Sequence, residues 1–335
     1  MSERISVSDL RIGFIGCGQI SRFHADALSA LGCKIVAVSA RPESKSIEEF
    51  KNQYSIPASF DSWQKMIEQQ DIDALWVTAS WSAIDELLLP VLGYNLPTFF
   101  EKPVALSSSK IEAATQLYRS QTAYTQIGYN RRFYSYIPEV RKYLGENPPR
   151  SILLEIPETE PRKSDPLAKY LWYQNSSHAI DLLYHLIGPF HIDKVVIQSR
   201  ADSDTPNSFN GLLVSESGIP INLVANWNVP SNTNITFYCQ DSIVKLSPLE
   251  MASIYSGLEI VEPTDSLPIR RYLPKLHQSL FCSPVGELFK PGFIGQTKFF
   301  IDKINGCEKS KLFVPASLDD ALFVTKLIED LLSRT

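Results

Sequence analysis

The first third of the chain alternates short apolar runs with stretches of helical periodicity. Residues 11–16 form an apolar run that ends in glycine, the length and composition of a buried strand. Residues 20–31 repeat at helical spacing. The pair then recurs. A strand-like run over 34–40 precedes a charged helix over 43–54, and a short strand over 58–60 precedes a helix over 63–69. Runs over 73–79, 97–101 and 123–128 read as strands, and 84–92 and 109–121 as helices. Strands alternating with helices at this rhythm predict a parallel sheet with helices on both faces.

Beyond residue 128 the rhythm changes. Residues 151–156 read as a strand, a polar stretch with Pro157, Pro161 and Pro166 follows, and helical periodicity returns over 177–187. Strand-like runs then crowd together at 194–200, 208–216, 219–228, 234–239 and 242–246. Their alternation predicts a mostly antiparallel sheet with one solvated or partner-covered face. The chain ends in helical pattern over 296–304 and 317–332. This divides it into an α/β domain over 1–125 and an α+β domain over 126–335. The segment 269–293, rich in Arg, Lys and Pro, fits either an oligomer arm or a lid.

Length agrees with that division, since 335 residues suggest two domains at about 150 residues each. A 44% hydrophobic and 21% charged composition is that of a globular protein. The net charge of −5 argues against a nucleic-acid partner, which selects a basic face. No apolar run approaches the roughly 18 residues of a membrane helix, and residues 1–10 lack the apolar core of a secretory signal. Five scattered cysteines without a CxxC pair are expected as reduced thiols. A cytoplasmic location follows as the expectation.

Three clusters carry candidate chemistry. Gly16, Cys17, Gly18, Gln19, Ile20 and Ser21 join the first strand to the first helix. The first glycine permits a tight turn and the second lets a pyrophosphate approach backbone at a helix N-terminus. A plain strand–helix turn would have the same start; the βαβ repeat that follows favours a dinucleotide. At the end of the second strand, NAD readers carry an acid about 20 residues on. Here Ser39, Ala40 and Arg41 stand there, with no carboxylate before Glu43. Arg41 and Ser39 suit a 2′-phosphate, which favours NADP over NAD. Glu101, Lys102 and Pro103 end the fifth strand, where ligands gather in open α/β sheets. A lysine there can polarise a carbonyl or share a hydroxyl proton; a charged turn is the plainer reading.

His178, Asp181 and His185 occupy one face of a helix at spacings of three and seven. His185 reads as part of the packed face with Leu182 and Leu186. His178, at the helix start, is the candidate proton donor or acceptor. These two histidines and the aspartate are not read as a metal site.

Taken in order, Gly16-Cys17-Gly18, Glu101-Lys102-Pro103, the stretch from Gly128 through Asn130, Arg131 and Arg132 to Phe133, and His178 to Gly188 resemble the Gfo/Idh/MocA oxidoreductases. The resemblance extends to residues 292–301. It implies an N-terminal Rossmann domain and a C-terminal domain with a large open sheet that assembles homodimers or homotetramers. It also implies hydride exchange between a nicotinamide and a hydroxyl or keto carbon of a sugar, sugar nucleotide or cyclitol.

By that resemblance Lys102 and His178 are catalytic. Gly16, Gly18, Gln19, Ile20, Ser39, Arg41, Thr78, Trp81, Glu101 and Lys102 serve the cofactor, and Asn130, Arg131, Gln174, Asn175 and His178 the substrate. Two departures stand out. Members often place an aspartate four residues before the histidine, where this chain has Gln174. They also carry a Thr-Pro-Pro-like turn and a histidine where this chain has Thr78, Ala79, Ser80 and Trp81. Trp81 either covers part of the cofactor or packs internally. These departures keep open a second expectation, a nucleotide-sensing regulator or scaffold of the same fold.

Overall fold

In the computed structural model, residues 9–159, 168–199, 206–282, 288–307 and 312–334 are described. Six parallel strands form the first sheet: β1 (Arg11–Ile15), β2 (Lys34–Ser39), β3 (Ala58–Phe60), β4 (Ala74–Val77), β5 (Thr98–Phe100) and β6 (Thr125–Ile127). Their spatial order is β3-β2-β1-β4-β5-β6. The order reverses between β1 and β4, the switch point of a doubly wound sheet. Helices α1 (Gln19–Ala30), α2 (Ile47–Gln53), α3 (Trp63–Gln69), α4 (Trp81–Leu92) and α5 (Ser108–Tyr118) join the strands. The expected α/β architecture is present.

Neighbouring strands stack aromatic rings on one face of this sheet. Trp76 lies parallel to Phe99 at 5.4 Å, and Phe14 is 6.5 Å from Trp76. Phe300 meets Trp76 edge-on at 4.9 Å. Such pairs add about 1 kcal/mol beyond the area they bury. Phe300 belongs to α8 (Phe293–Ile304), so a helix late in the chain completes the core of the first sheet.

The domain division accordingly differs from 1–125 and 126–335. The chain separates into one unit of Met1–Tyr134 with Pro284–Glu329, and a second of Ser135–Ser283 with Asp330–Thr335. The apolar surface of α8 needs a partner, and that partner is far away in sequence. Arg132, in the 3-10 turn Asn130–Phe133, makes a similar long-range tie within the first unit. Its guanidinium donates to Asp320 Oδ1 at 2.9 Å, with only 2% of the arginine side chain exposed. Asp320 lies in the first turn of α9 (Leu318–Ser333) and also accepts from the Ser317 N–H at 2.7 Å. Ser317 Oγ in turn accepts from the Asp320 N–H, a capping-box exchange.

The second unit is built on eight strands: β7 (Ser151–Glu158), β8 (Phe190–Gln198), β9 (Ser208–Ser215), β10 (Pro220–Trp227), β11 (Asn234–Tyr238), β12 (Ser242–Leu246), β13 (Met251–Val261) and β14 (Arg271–Phe281). They lie in the order β14-β13-β12-β11-β7-β10-β9-β8, antiparallel except where β10 runs parallel to β7. Helices α6 (Ile137–Glu146) and α7 (Asn175–Ile187) belong to this unit. Alternate residues Ile152, Leu154 and Ile156 are buried, as are Ile221, Leu223 and Ala225.

Part of segment 269–293 is β14, the edge strand of this sheet; residues 283–287 lie outside those described. The register sets Leu258 opposite Pro274, Ile260 opposite Tyr272 and Tyr255 opposite Leu276. Opposite residues of an antiparallel pair share a face. One face of this ribbon is therefore apolar, with Leu258, Ile260, Tyr272 and Leu276 all exposed. Among the described residues no helix is long and apolar enough to cross a membrane.

The Arg132–Asp320 pair yields a stability prediction with a defined sign. Burial alone would raise the Asp320 carboxyl; the Arg132 charge and the Ser317 hydrogen bonds outweigh it and hold it below the ordinary 3.8. A carboxyl with a depressed folded-state pKa stabilises the fold above its unfolded value and loses that contribution as pH falls through the folded one. Asp320→Asn should cost about 3 kcal/mol at pH 7, because buried Arg132 loses its carboxylate partner. Denaturant melts at pH 7, 4 and 3 should show the gap between wild type and variant full at pH 7 and shrinking below pH 4.

Candidate active site

The turn from β1 to α1 is set by backbone packing. Gly16 has φ +107°, and a Cβ built on it would stand 2.7 Å from the Thr78 carbonyl oxygen. Only glycine suits such a position. Its N–H donates to Ser39 O at 2.8 Å, so the ends of β1, β2 and β4 meet there. Gly18 is different. It is the N-cap of α1, with φ −78° and ψ −169°, and has nothing within 4 Å of an added Cβ. No side chain caps the helix. Its first N–H groups lie beside exposed Gly18 and Gln19 and half-buried Ile20. Free N–H groups and the positive end of the helix dipole suit a phosphate.

Ser21 stands where the Gly-rich pattern would have its third glycine. It is fully buried, and its Oγ lies 2.9 Å from Thr78 Oγ1. The hydroxyl thus fixes the distance between α1 and the end of β4. Ser39 is buried at the tip of β2, and Arg41, two residues on, is exposed. Among the described residues the Arg41 guanidinium makes no hydrogen bond or ion pair. Trp81 opens α4 and is half-buried.

Glu101 follows β5 and is 8% exposed. The ring of His24, fully buried in α1, reaches its Oε2 at 3.3 Å. Gly128 leaves no room for a Cβ against the same carboxylate. Lys102 is half-buried and joined to Pro103 by a cis peptide. A further lysine, Lys290, sits over the rings of Phe23 and Phe293 at 4.9 and 5.3 Å. Loss of hydration lowers its pKa; Arg131 lowers it further and Glu101 opposes them. Asn130, expected at the substrate, is 5% exposed and donates its side-chain N–H to Pro291 O at 2.7 Å. Arg132 is held by Asp320, whereas Arg131 is half-buried.

In the second unit, Gln174 is the N-cap of α7, Asn175 is its exposed first residue and His178 follows one turn in, 8% exposed. Asp181, one turn further, is fully buried. Gln174 provides no side-chain cap. Instead Glu158, at the end of β7, accepts from the Ser176 N–H at 2.7 Å and from its Oγ–H at 2.8 Å. Thus Gly16, Gly18, Ser39 and Thr78 converge in the first unit, and Gln174, Asn175 and His178 share a helix start in the second. Among the described residues no three His, Cys, Asp or Glu side chains converge as a metal set.

Known proteins resemble this chain in sequence over its first unit and in fold over most of its length. Residues 10–129 match GFO_IDH_MocA, described as an oxidoreductase family with an NAD-binding Rossmann fold. Over 124 residues the chain is 25% identical to myo-inositol 2-dehydrogenase of Thermotoga maritima, covering 37% of either chain. It is 33% identical to inositol 2-dehydrogenase of Agrobacterium fabrum, covering 37% of this chain and 38% of that one. The matches thus span less than two fifths of these curated relatives. A UDP-N-acetylglucosamine 3-dehydrogenase from Acidithiobacillus ferrooxidans aligns over 96% of both chains with a TM-score of 0.74. At 17% identity that likeness shows the shared fold. The family match is confined to residues 10–129, the Rossmann part of the first unit.

The sequence reading leaves His24, Lys290 and Glu158 unassigned. Glu158 had a signal: it continues the inward register of residues 152, 154 and 156. His24 and Lys290 had none, because their neighbours come from distant segments.

The two glycines should respond differently to substitution. Gly16→Ala should cost about 2 kcal/mol or more, through its positive φ and the Thr78 carbonyl. Gly18→Ala should cost at most about 1 kcal/mol, the N-cap preference alone. Chemical denaturation of both variants checks this.

Proposed function

We propose that the chain is a nicotinamide-dependent oxidoreductase that acts on a hydroxyl or keto carbon of a sugar, sugar nucleotide or cyclitol. The observation that carries the reading is the uncapped start of α1 at Gly18, open to solvent at the switch point between β1 and β4. The residues fit a dinucleotide: Gly18 leaves space for a pyrophosphate, and the α1 N–H groups are available to it. The inositol and amino-sugar dehydrogenases named above support a polyhydroxylated substrate. When bound, the nicotinamide supplies or accepts the hydride.

The chain's own residues handle charge and protons. Lys102 stabilises negative charge that develops on the substrate oxygen. His178 gives that oxygen a proton in reduction and takes it in oxidation. Gln174 and Asn175 hydrogen-bond substrate hydroxyls. Arg41, exposed and without a partner among the described residues, pairs with a 2′-phosphate, so NADP is the preferred cofactor. The exposed apolar face of β13 and β14 joins copies of the chain into a homo-oligomer.

Titration with NADPH and NADH, followed by nicotinamide fluorescence, tests the reading. NADPH should bind at least about tenfold tighter, ~1.4 kcal/mol, and Arg41→Ala should erase the preference. Lys102→Ala and His178→Ala should each abolish turnover of keto-sugars, and His178→Ala should leave nucleotide affinity intact. Failure to bind either nucleotide would sink the proposal and favour a regulatory or scaffold role. Sedimentation velocity should find a dimer or tetramer, and Leu276→Lys should shift it toward monomer.

A further inference from the structure

Glu158 ends β7 on the buried side of the second sheet. The strand turns Ile152, Leu154 and Ile156 to that side before it. Glu158 is 6% exposed and lies in register beside Trp227. Trp227 packs with Trp172 at 5.2 Å and Phe209 at 5.7 Å. A carboxylate in such surroundings is costly unless it is hydrogen-bonded. Its Oε1 accepts both the backbone N–H and the hydroxyl of Ser176.

Ser176 is the second residue of α7, and no local side chain caps that helix. Glu158 therefore does from another element what an N-cap Ser or Asp does from within, and adds a negative charge at the positive end of the helix. His178 lies two residues further on. A histidine in the first turn of a helix is disfavoured as imidazolium by the helix dipole. The side chain at 174 is an uncharged glutamine. Among the described residues, the titratable groups on α7 and on the elements packed against it are Asp181, Tyr184 and His185 on α7 itself, Tyr170 and Tyr173 from the 3-10 turn Ala168–Tyr173, and Glu155 and Glu158 from β7.

We infer that Glu158 is a positioning residue that supplies, from β7, the charge residue 174 lacks: it anchors the start of α7 and keeps His178 able to carry a proton. This rests on the proposed role of His178 as proton donor.

The test is Glu158→Gln, which keeps an acceptor for Ser176 and removes the charge. In histidine-labelled protein the His178 signal is one of five, assigned by its loss in His178→Gln. Glu158→Gln should move its NMR titration midpoint to lower pH and reduce kcat for carbonyl reduction about tenfold. KM and nucleotide affinity should not change. Gln174→Asp added to Glu158→Gln should restore the midpoint, and it carries the test if the single variant does not fold. Ser176→Ala keeps the carboxylate and should leave the midpoint in place. An unmoved midpoint in Glu158→Gln, or a midpoint that moves in Ser176→Ala alone, overturns the inference. If wild type binds no nicotinamide nucleotide, the oxidoreductase reading fails, and the His178 titration still decides the role of Glu158.

Discussion

The carbonyl of Thr78 stands where a side chain on Gly16 would have to go. That one close approach organises the first unit. It requires glycine with a positive φ at the end of β1, brings the tips of β1, β2 and β4 to one place and sends the chain directly into α1. The hydroxyls of Ser21 and Thr78 hold the helix at the same spot. Because the sheet reverses its order between β1 and β4, this is also where neighbouring connections diverge and leave a crevice. The packing that fixes the turn leaves Gly18, the N-cap of α1, exposed and without a side-chain cap. Structure and candidate nucleotide site thus have a common origin in one backbone contact.

Charge is handled in both units by pairing residues far apart in sequence. Arg132 meets Asp320, His24 meets Glu101, and Glu158 meets Ser176. Each places a polar group in a buried setting with a specific partner, the condition under which burial is tolerated. The first two tie connecting segments and helix starts to the Rossmann sheet. The third ties a helix start to the antiparallel sheet. In the second unit, alternation along the strands covers one face and leaves the other open, apolar at the β13–β14 ribbon.

Local pattern revealed the strands and helices of residues 11–128 and the antiparallel character of the second sheet. Side-chain periodicity follows directly from strand and helix geometry and is written in the chain. The glycines at 16 and 18 were readable for the same reason, since backbone conformation restricts residue type locally. Three features were not readable. Residues 284–329 join the first unit because α8 buries Phe300 against Trp76, a choice between two apolar surfaces that α8 alone does not contain. β13 and β14 carry bulges that interrupt the alternation. Asn130 is an ordinary polar residue in sequence, yet it holds the Pro291 carbonyl.

The sequence by itself determined the alternating α/β rhythm, the phosphate-type turn and the candidate lysine and histidine, because each depends on residues close together in the chain. Tertiary structure alone decided which unit the late helix completes, which carboxylate caps the His178 helix and which arginine of the pair at 131 and 132 is structural. Those outcomes depend on distances between residues up to 188 positions apart. Such distances are set by packing, and no local pattern encodes them.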